Sequence, residues 1–211
     1  MAETQARRKR GSLSTTEIVM ASMRILDVEG PSALTFNRLG KELKASSTAV
    51  YRHYASRQDL MVAVAEHLDF LSLENYSPSE DWRADLTDLA WRAWDVATKQ
   101  PAAASVAMEL ITNGVHELTA VEAVLHAITR AGLGGRQAVI HYQVYANLVM
   151  GGARAQGMRL AESLGSAKSV FTQVYSPGDP TQWPNAELLK EDLRVVDYAE
   201  VFRRQVEMYL D

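Results

Sequence analysis

The chain has 211 residues, 47% of them hydrophobic, carries a net charge of −4 and contains no cysteine. That length and composition suit one large or two modest globular units and exclude general disorder. The missing cysteines exclude disulfides and thiolate metal sites, and no stretch approaches the roughly eighteen apolar residues of a membrane-spanning helix.

In chain order, the N-terminal Arg7-Arg8-Lys9-Arg10 cluster is followed by no apolar run. It is therefore not read as a secretory leader, and a soluble, cytoplasmic protein is expected. Ser14 and Glu17 then have capping-box spacing, with Leu13 and Ile18 placed as a hydrophobic staple. Ile18, Ala21, Ile25 and Val28 keep one apolar face until Gly30-Pro31 stops the helix. Thr35 starts a second helix with Phe36, Leu39 and Leu43 inward, and Lys44-Ala45 makes a short connection. Ser46 caps a third helix expected to run to about Tyr54. Ser56 and Asp59 form another capping box, opening a long helix with Leu60, Val64, Leu68 and Leu71 on one side.

The rest of the chain also reads as helical: Asp81–Gln100, Ala102–Thr112, His116–Ala131 and Arg136 to about Gly157. Residues 176–186, SPGDPTQWPNA, carry three prolines and one glycine and are expected to be loop. Two helices, about Glu187–Val195 and Tyr198–Tyr209, close the chain. The expected class is all-α, without internal repeat.

Charge is divided unevenly along this plan. Residues 1–67 hold ten Lys/Arg against seven Asp/Glu, whereas the remainder holds twelve against nineteen. A basic first third on an acidic body suggests that one end meets a polyanion. The order helix, short helix, tight turn, short helix, long helix is that of a helix-turn-helix module. In the short helix near residues 46–54, Val50 and Tyr54 face inward while Ser47, Thr48, Tyr51 and Arg52 project outward. A thin apolar seam under a small, polar outer face suits a helix that must enter a DNA major groove. Thr35 and Ser46 lie at helix N-termini, where free amides and the helix dipole favour a phosphate, and Arg38 and Arg57 flank them.

From Ser14 to about Leu68 the chain resembles the DNA-binding domain of the TetR family of bacterial transcriptional regulators. The segments LTFNRLGKEL and KASSTAVYRHYASRQDLMVAV carry the likeness. Tyr51 falls on the family's typical tyrosine, Tyr54 on its usual Phe and Arg57 on its usual Lys. Lys44 departs, because the family commonly has Gly in this turn. The later segments Trp82…Leu86…Leu89-Ala90, Lys99-Gln100-Pro101 and Ala131-Gly132-Leu133 resemble the C-terminal domain of the tetracycline-repressor subgroup.

The resemblance implies a basic arm at residues 1–13, a three-helix DNA-binding domain at 14–67, and a helical-bundle ligand-binding and dimerisation domain at 68–211. It implies phosphate contacts from Thr35, Arg38, Ser46, Tyr51, His53 and Arg57, with Ser47, Thr48, Ala49 and Arg52 facing bases. Arg7, Arg8, Lys9 and Arg10 are placed to reach the minor groove. An effector pocket in the C-terminal domain is also implied, with His67, Trp94, Met108, Asn113, His116, His141, Tyr145 and Met150 as its candidate lining. The histidines lack metal-ligand spacing, and no nucleophile–base arrangement or phosphate loop is present, so neither metal, cofactor nor enzyme activity is expected. Arg136–Gly157 and Tyr198–Tyr209 are the expected dimer helices; Ala146, Gly151, Gly152 and Ala153 permit close approach there, and a buried contact within one chain would use them equally well. The expected partners are a double-stranded, palindromic DNA operator, a second copy of the chain and a small, mostly apolar effector that releases a repressor. A helical protein-binding adaptor, an activator, or a regulator without effector stay open as alternatives.

Overall fold

A computed structural model describes residues 13–163 and 179–211, and these contain helices and no strand. Side-chain caps fix where the first helices begin. Ser14 accepts from the Glu17 amide, while the Glu17 carboxylate accepts from the Ser14 amide at 2.9 Å, and α1 runs Thr15–Glu29. The same reciprocal pair, Ser56 with Asp59, opens α4 at Arg57–Leu73. Between them Thr35 caps α2 (Phe36–Glu42) and Ser46 caps α3 (Ser47–Tyr51). A single 3-10 turn, Pro31–Ala33, leads from α1 into α2. The body is built from α5 (Trp82–Lys99), α6 (Pro101–Ala107), α7 (Val115–Arg130), α8 (Gly135–Ser163), α9 (Pro184–Leu188), α10 (Lys190–Arg194) and α11 (Tyr198–Leu210). No described helix is long and apolar enough to cross a membrane.

Several boundaries differ from those expected. The third helix stops at Tyr51 instead of Tyr54, because the amides of both His53 and Tyr54 close onto the Val50 carbonyl, at 2.9 and 3.1 Å. Ser56 then restarts the chain. The sixth helix ends at Ala107, not Thr112. The Thr112 and Asn113 amides donate forward to the Glu117 carboxylate, at 2.9 and 2.6 Å, so they cannot extend α6. Helix α8 continues to Ser163, beyond Gly157. The expected loop at 176–186 gives way at Pro184, which occupies the first turn of α9 where its missing N–H costs nothing. The expected helix at Glu187–Val195 is two short pieces interrupted at Leu189. Val28 is 81% exposed: the buried face of α1 centres on Ser22 and Leu26, and Val28 falls off its edge in the last turn. On α8, Val139 is likewise exposed, although Tyr145, Val149 and Ala153 of the same helix are buried.

Two apolar clusters organise the interior. The first joins α1, α2, α3 and α4 through Ile18, Leu26, Leu39, Val50, Leu60 and Val64, and it also takes in Val96 from α5 and Ala102, Ala103 and Ala107 from α6. The second lies among α5, α7, α8 and α11, where Phe202 stacks on Trp94 at 4.6 Å between ring centroids. Gly152 makes that contact possible, since a Cβ there would lie 2.6 Å from the Phe202 ring. Helix α4 belongs to the first cluster and packs on α5, α6 and α7 of the body. The first domain is therefore joined to the second by shared core rather than by a linker.

Candidate nucleic-acid interface and ligand cavity

Helix α3 is held from below by little. Val50 is fully buried and Tyr54 9% exposed, and both belong to the first core. On its other side Thr48, Tyr51, Arg52 and His53 are exposed, while Ser47 and Ala49 are half-buried. The Tyr51 ring meets Phe36 edge-on at 4.5 Å, which fixes an aromatic hydroxyl beside the start of α2.

The turn between α2 and α3 depends on two residues. Lys44 takes a left-handed backbone with φ 51°, so the lysine accepts the angle that a glycine would adopt freely. Gly40 lets α3 approach α2: a Cβ there would sit 2.9 Å from the Ala45 carbonyl oxygen and 3.1 Å from the Ser47 amide. The signal for this role in the sequence is an isolated glycine inside a helical pattern, which marks close packing of this kind.

The two arginines expected at the flanks are occupied. Arg38 donates from Nε to the Glu29 carboxylate at 2.9 and 3.0 Å and from Nη2 to Glu42 at 3.0 Å. The Arg38 hydrogen bond holds the Glu29 carboxyl below its usual range. Arg57 donates to the carbonyls of Leu34 and Pro31, at 3.2 and 3.0 Å, and so ties the start of α4 to the turn before α2. The hydroxyls of Thr35 and Ser46 accept the amides of Arg38 and Ala49. By contrast Lys41, Lys44 and Arg52 enter no ion pair among the described residues. Arg7, Arg8, Lys9 and Arg10 lie outside the described residues.

In the body, a cavity of about 430 Å³ opens between α4, α5, the segment after α6, α7 and α8. Apolar walls come from Leu89, Val124, Val149 and Met150, aromatic ones from Tyr142 and Tyr145, and Asp69, Glu109 and Glu117 supply carboxylates. Of the expected lining residues it takes Met108, Tyr145 and Met150. His67, Trp94, Asn113, His116 and His141 lie elsewhere. Trp94 is core beneath Phe202. Asn113 makes the turn before α7, with φ 51°. His67 stacks on Phe70, whose ring meets His116, and burial lowers the His67 pKa, helped by the charge of His116. His141 packs against Tyr209, which donates its hydroxyl to the His141 carbonyl at 3.1 Å.

The carboxylates beside the cavity differ in state. Burial would raise the Glu66 pKa, but hydrogen bonds from the His116 amide at 2.8 Å and the Thr112 hydroxyl at 2.8 Å outweigh it and keep the group charged. Asp69 has no such donor, and burial with the nearby Glu117 and Glu66 pushes its pKa up to about 7. No position-specific signal in the sequence marks Asp69, because its environment comes from helices far apart in the chain. Among the described residues, no group of three potential metal ligands occurs.

Together these features define a class: a helix-turn-helix reading head rigidly joined to a helical body that encloses a ligand-sized cavity. Residues 18–64 match the tetR family of bacterial regulatory proteins, and residues 76–211 match the tetracyclin repressor-like C-terminal domain. An HTH-type transcriptional regulator of Saccharopolyspora erythraea is 28% identical over 159 residues, 74% of this chain and 66% of that protein, so the chain spans about two thirds of the relative's length. Among solved structures, a possible TetR family transcriptional regulator from Streptomyces coelicolor A3(2) superposes with a TM-score of 0.81 at 20% identity, covering 94% of this chain and 97% of that one. The Streptomyces coelicolor TetR family protein ActR, in complex with actinorhodin, gives 0.76 at 21% identity, covering 94% and 95%. The chain belongs to the TetR family of bacterial regulatory proteins, which are DNA-binding transcriptional regulators and not enzymes.

Proposed function

We propose that this chain, a DNA-binding transcriptional regulator by family, acts in the cytoplasm as a homodimeric repressor that a small, mostly apolar effector releases from a palindromic operator. The observation that carries the reading is the union of an under-anchored, polar-faced α3 with a cavity-bearing body through one continuous helix, α4. On this reading residues 14–67 form the reading head and residues 68–211 the effector and dimer body. Ser47, Thr48, Ala49 and Arg52 face bases, and Thr35, Ser46, Tyr51 and His53 touch phosphates. Arg38 and Arg57 contribute there only by loosening their present contacts, and Arg7, Arg8, Lys9 and Arg10 add minor-groove contacts.

Dimerisation finds support in an apolar stripe left open on two helices. Ile140 and Val144 on α8, and Val201 and Met208 on α11, are between 41% and 67% exposed. Gly151 adjoins the α8 stripe with open space above it, whereas Gly152 serves the contact with α11 inside one chain and Ala153 is buried in the second core. A two-fold axis through such a face repeats α3 across the dimer and makes the operator approximately palindromic.

Effector action follows from the packing. The cavity touches α4 at Asp69, Ser72 and Leu73 and the segment directly after α6 at Met108. Helices α4 and α6 both continue into the core of the reading head. An occupant that suits the cavity with these helices displaced weakens the operator-competent spacing.

The test is a mobility-shift titration on the DNA upstream of the protein's own gene. Tight binding that weakens steeply with salt, and that Tyr51→Ala and Arg52→Ala each reduce at least ten-fold with the fold intact, is the expected result. No binding at low salt would instead favour a helical adaptor.

A further inference from the structure

The cavity is apolar in most of its wall, yet no Lys, Arg or His lines it. Its charged groups are all carboxylates, and two of the three are committed. Glu109 pairs with Arg154 at 3.4 Å. Glu117 accepts the amides of Thr112 and Asn113. Asp69 is left: among the described residues its carboxylate receives no hydrogen bond and no cation. Tyr142, from the facing wall on α8, stands close enough to Asp69 and Glu117 that their charges, after burial, raise its own pKa.

An unpaired carboxylate in an apolar enclosure is costly, and the group lowers that cost by keeping its proton or by gaining a cation. A ligand that brings the cation recovers the charge pair in a site of low dielectric, and the face of an adjacent tyrosine adds to its attraction. An anionic ligand meets like charge with no counter-charge to offset it.

We propose that the effector is an organic cation, an apolar body sized to the cavity and bearing one positively charged nitrogen that pairs with Asp69. This rests on the ligand-responsive role given above and assigns its ligand class. The groups facing Asp69 are Glu66 on its own helix, Glu117 from α7 and Tyr142 from α8, while α5 presents only Leu89 and Ala93 to the cavity. With its pKa near 7, Asp69 is mostly neutral below that pH and mostly charged above it. Cation affinity therefore rises with pH through neutrality.

Calorimetric titration of the dimer with tetraphenylphosphonium and with tetraphenylborate tests this, because the two ions share one shape and differ in the sign of charge. The phosphonium binds at least ten-fold more tightly to the wild type. Asp69→Asn weakens phosphonium binding at least ten-fold, leaves the borate unchanged or stronger, and removes the increase in phosphonium affinity between pH 6 and 8. Asp69→Glu retains the preference for the cation, which separates loss of charge from damage to the fold. Equal or tighter binding of the borate, binding of neither ion, or a phosphonium affinity indifferent to Asp69→Asn would overturn the assignment. Operator affinity measured alongside separates this from the regulatory role. Borate that binds and releases DNA defeats the cation class but upholds the regulator. A cation preference that leaves operator affinity fixed upholds the class and defeats the regulator.

Discussion

Lys44 occupies a backbone conformation that costs a β-carbon-bearing residue roughly 1 to 2 kcal/mol, part of which a glycine recovers. Lys44→Gly is therefore expected to raise stability by about 0.5 to 1 kcal/mol, read from the midpoint of chemical denaturation. The gain disappears if the turn relaxes to another geometry in solution. Asp69 gives a prediction of definite sign. Its folded pKa lies near 7 and above its ordinary value of 3.8, so the folded state holds a proton that the unfolded chain has released between those pH values. Stability falls as pH rises through that window, and the full penalty is present above it. Asp69→Asn should accordingly stabilise the protein by on the order of 2 to 4 kcal/mol at pH 8 and by little below pH 4, read as melting temperature against pH. An equal shift at both pH values would contradict the origin assigned to it. Neither effect could be sized from sequence. Lys44 could be singled out by its departure from the family pattern, but the state of Asp69 depends on Glu66, Glu117 and the surrounding burial, which only the fold assembles.

At the level of elements, capping was the most legible signal. Ser14, Thr35, Ser46 and Ser56 each cap the helix their spacing indicates, since an N-cap is a local contact spanning three residues. Helix ends were less legible where a distant or forward partner captures the chain, as Glu117 does for the amides of Thr112 and Asn113. The close approach of α2 to α3 over Gly40 is testable in the same terms. Gly40→Ala forces backbone apart, with an expected cost of about 1 to 3 kcal/mol and a loss of operator affinity larger than the unfolded fraction explains. Retained affinity at full stability would show that α3 can shift without consequence. The ion pair of Asp85 with Arg130, 2.9 Å long and further fixed by the Ser79 amide at 2.7 Å, clamps α5 to the end of α7. Its loss in Asp85→Ala should cost about 3 to 5 kcal/mol, because the remaining arginine charge is left without a partner.

For the whole molecule, the all-helical class and the reading head were legible because the helix-turn-helix is a local motif with its own punctuation. The cavity was legible only in outline. Met108, Tyr145 and Met150 line it, but the histidines that invited attention do not, since which face of a helix turns inward is settled by its neighbours. The joint between the halves was also hidden, since α6 supplies Ala102, Ala103 and Ala107 to the core of the reading head across a long stretch of sequence. The open stripe on α8 and α11 yields a prediction at this scale. Ile140→Asp with Val144→Asp places two charges on the proposed two-fold face, and sedimentation should then show a monomer whose operator binding is lost while its helicity persists. A dimer that survives the double change would move the interface elsewhere.

On the proposed reading, cavity and reading head are thermodynamically linked. The direct measurement is operator affinity, by fluorescence anisotropy, with and without a saturating small molecule whose binding raises the melting temperature and is abolished by Met150→Trp. An operator affinity lowered at least ten-fold by the compound, with DNA weakening the compound by the same factor, is the expected result. A compound that occupies the cavity and leaves operator affinity unchanged would contradict it.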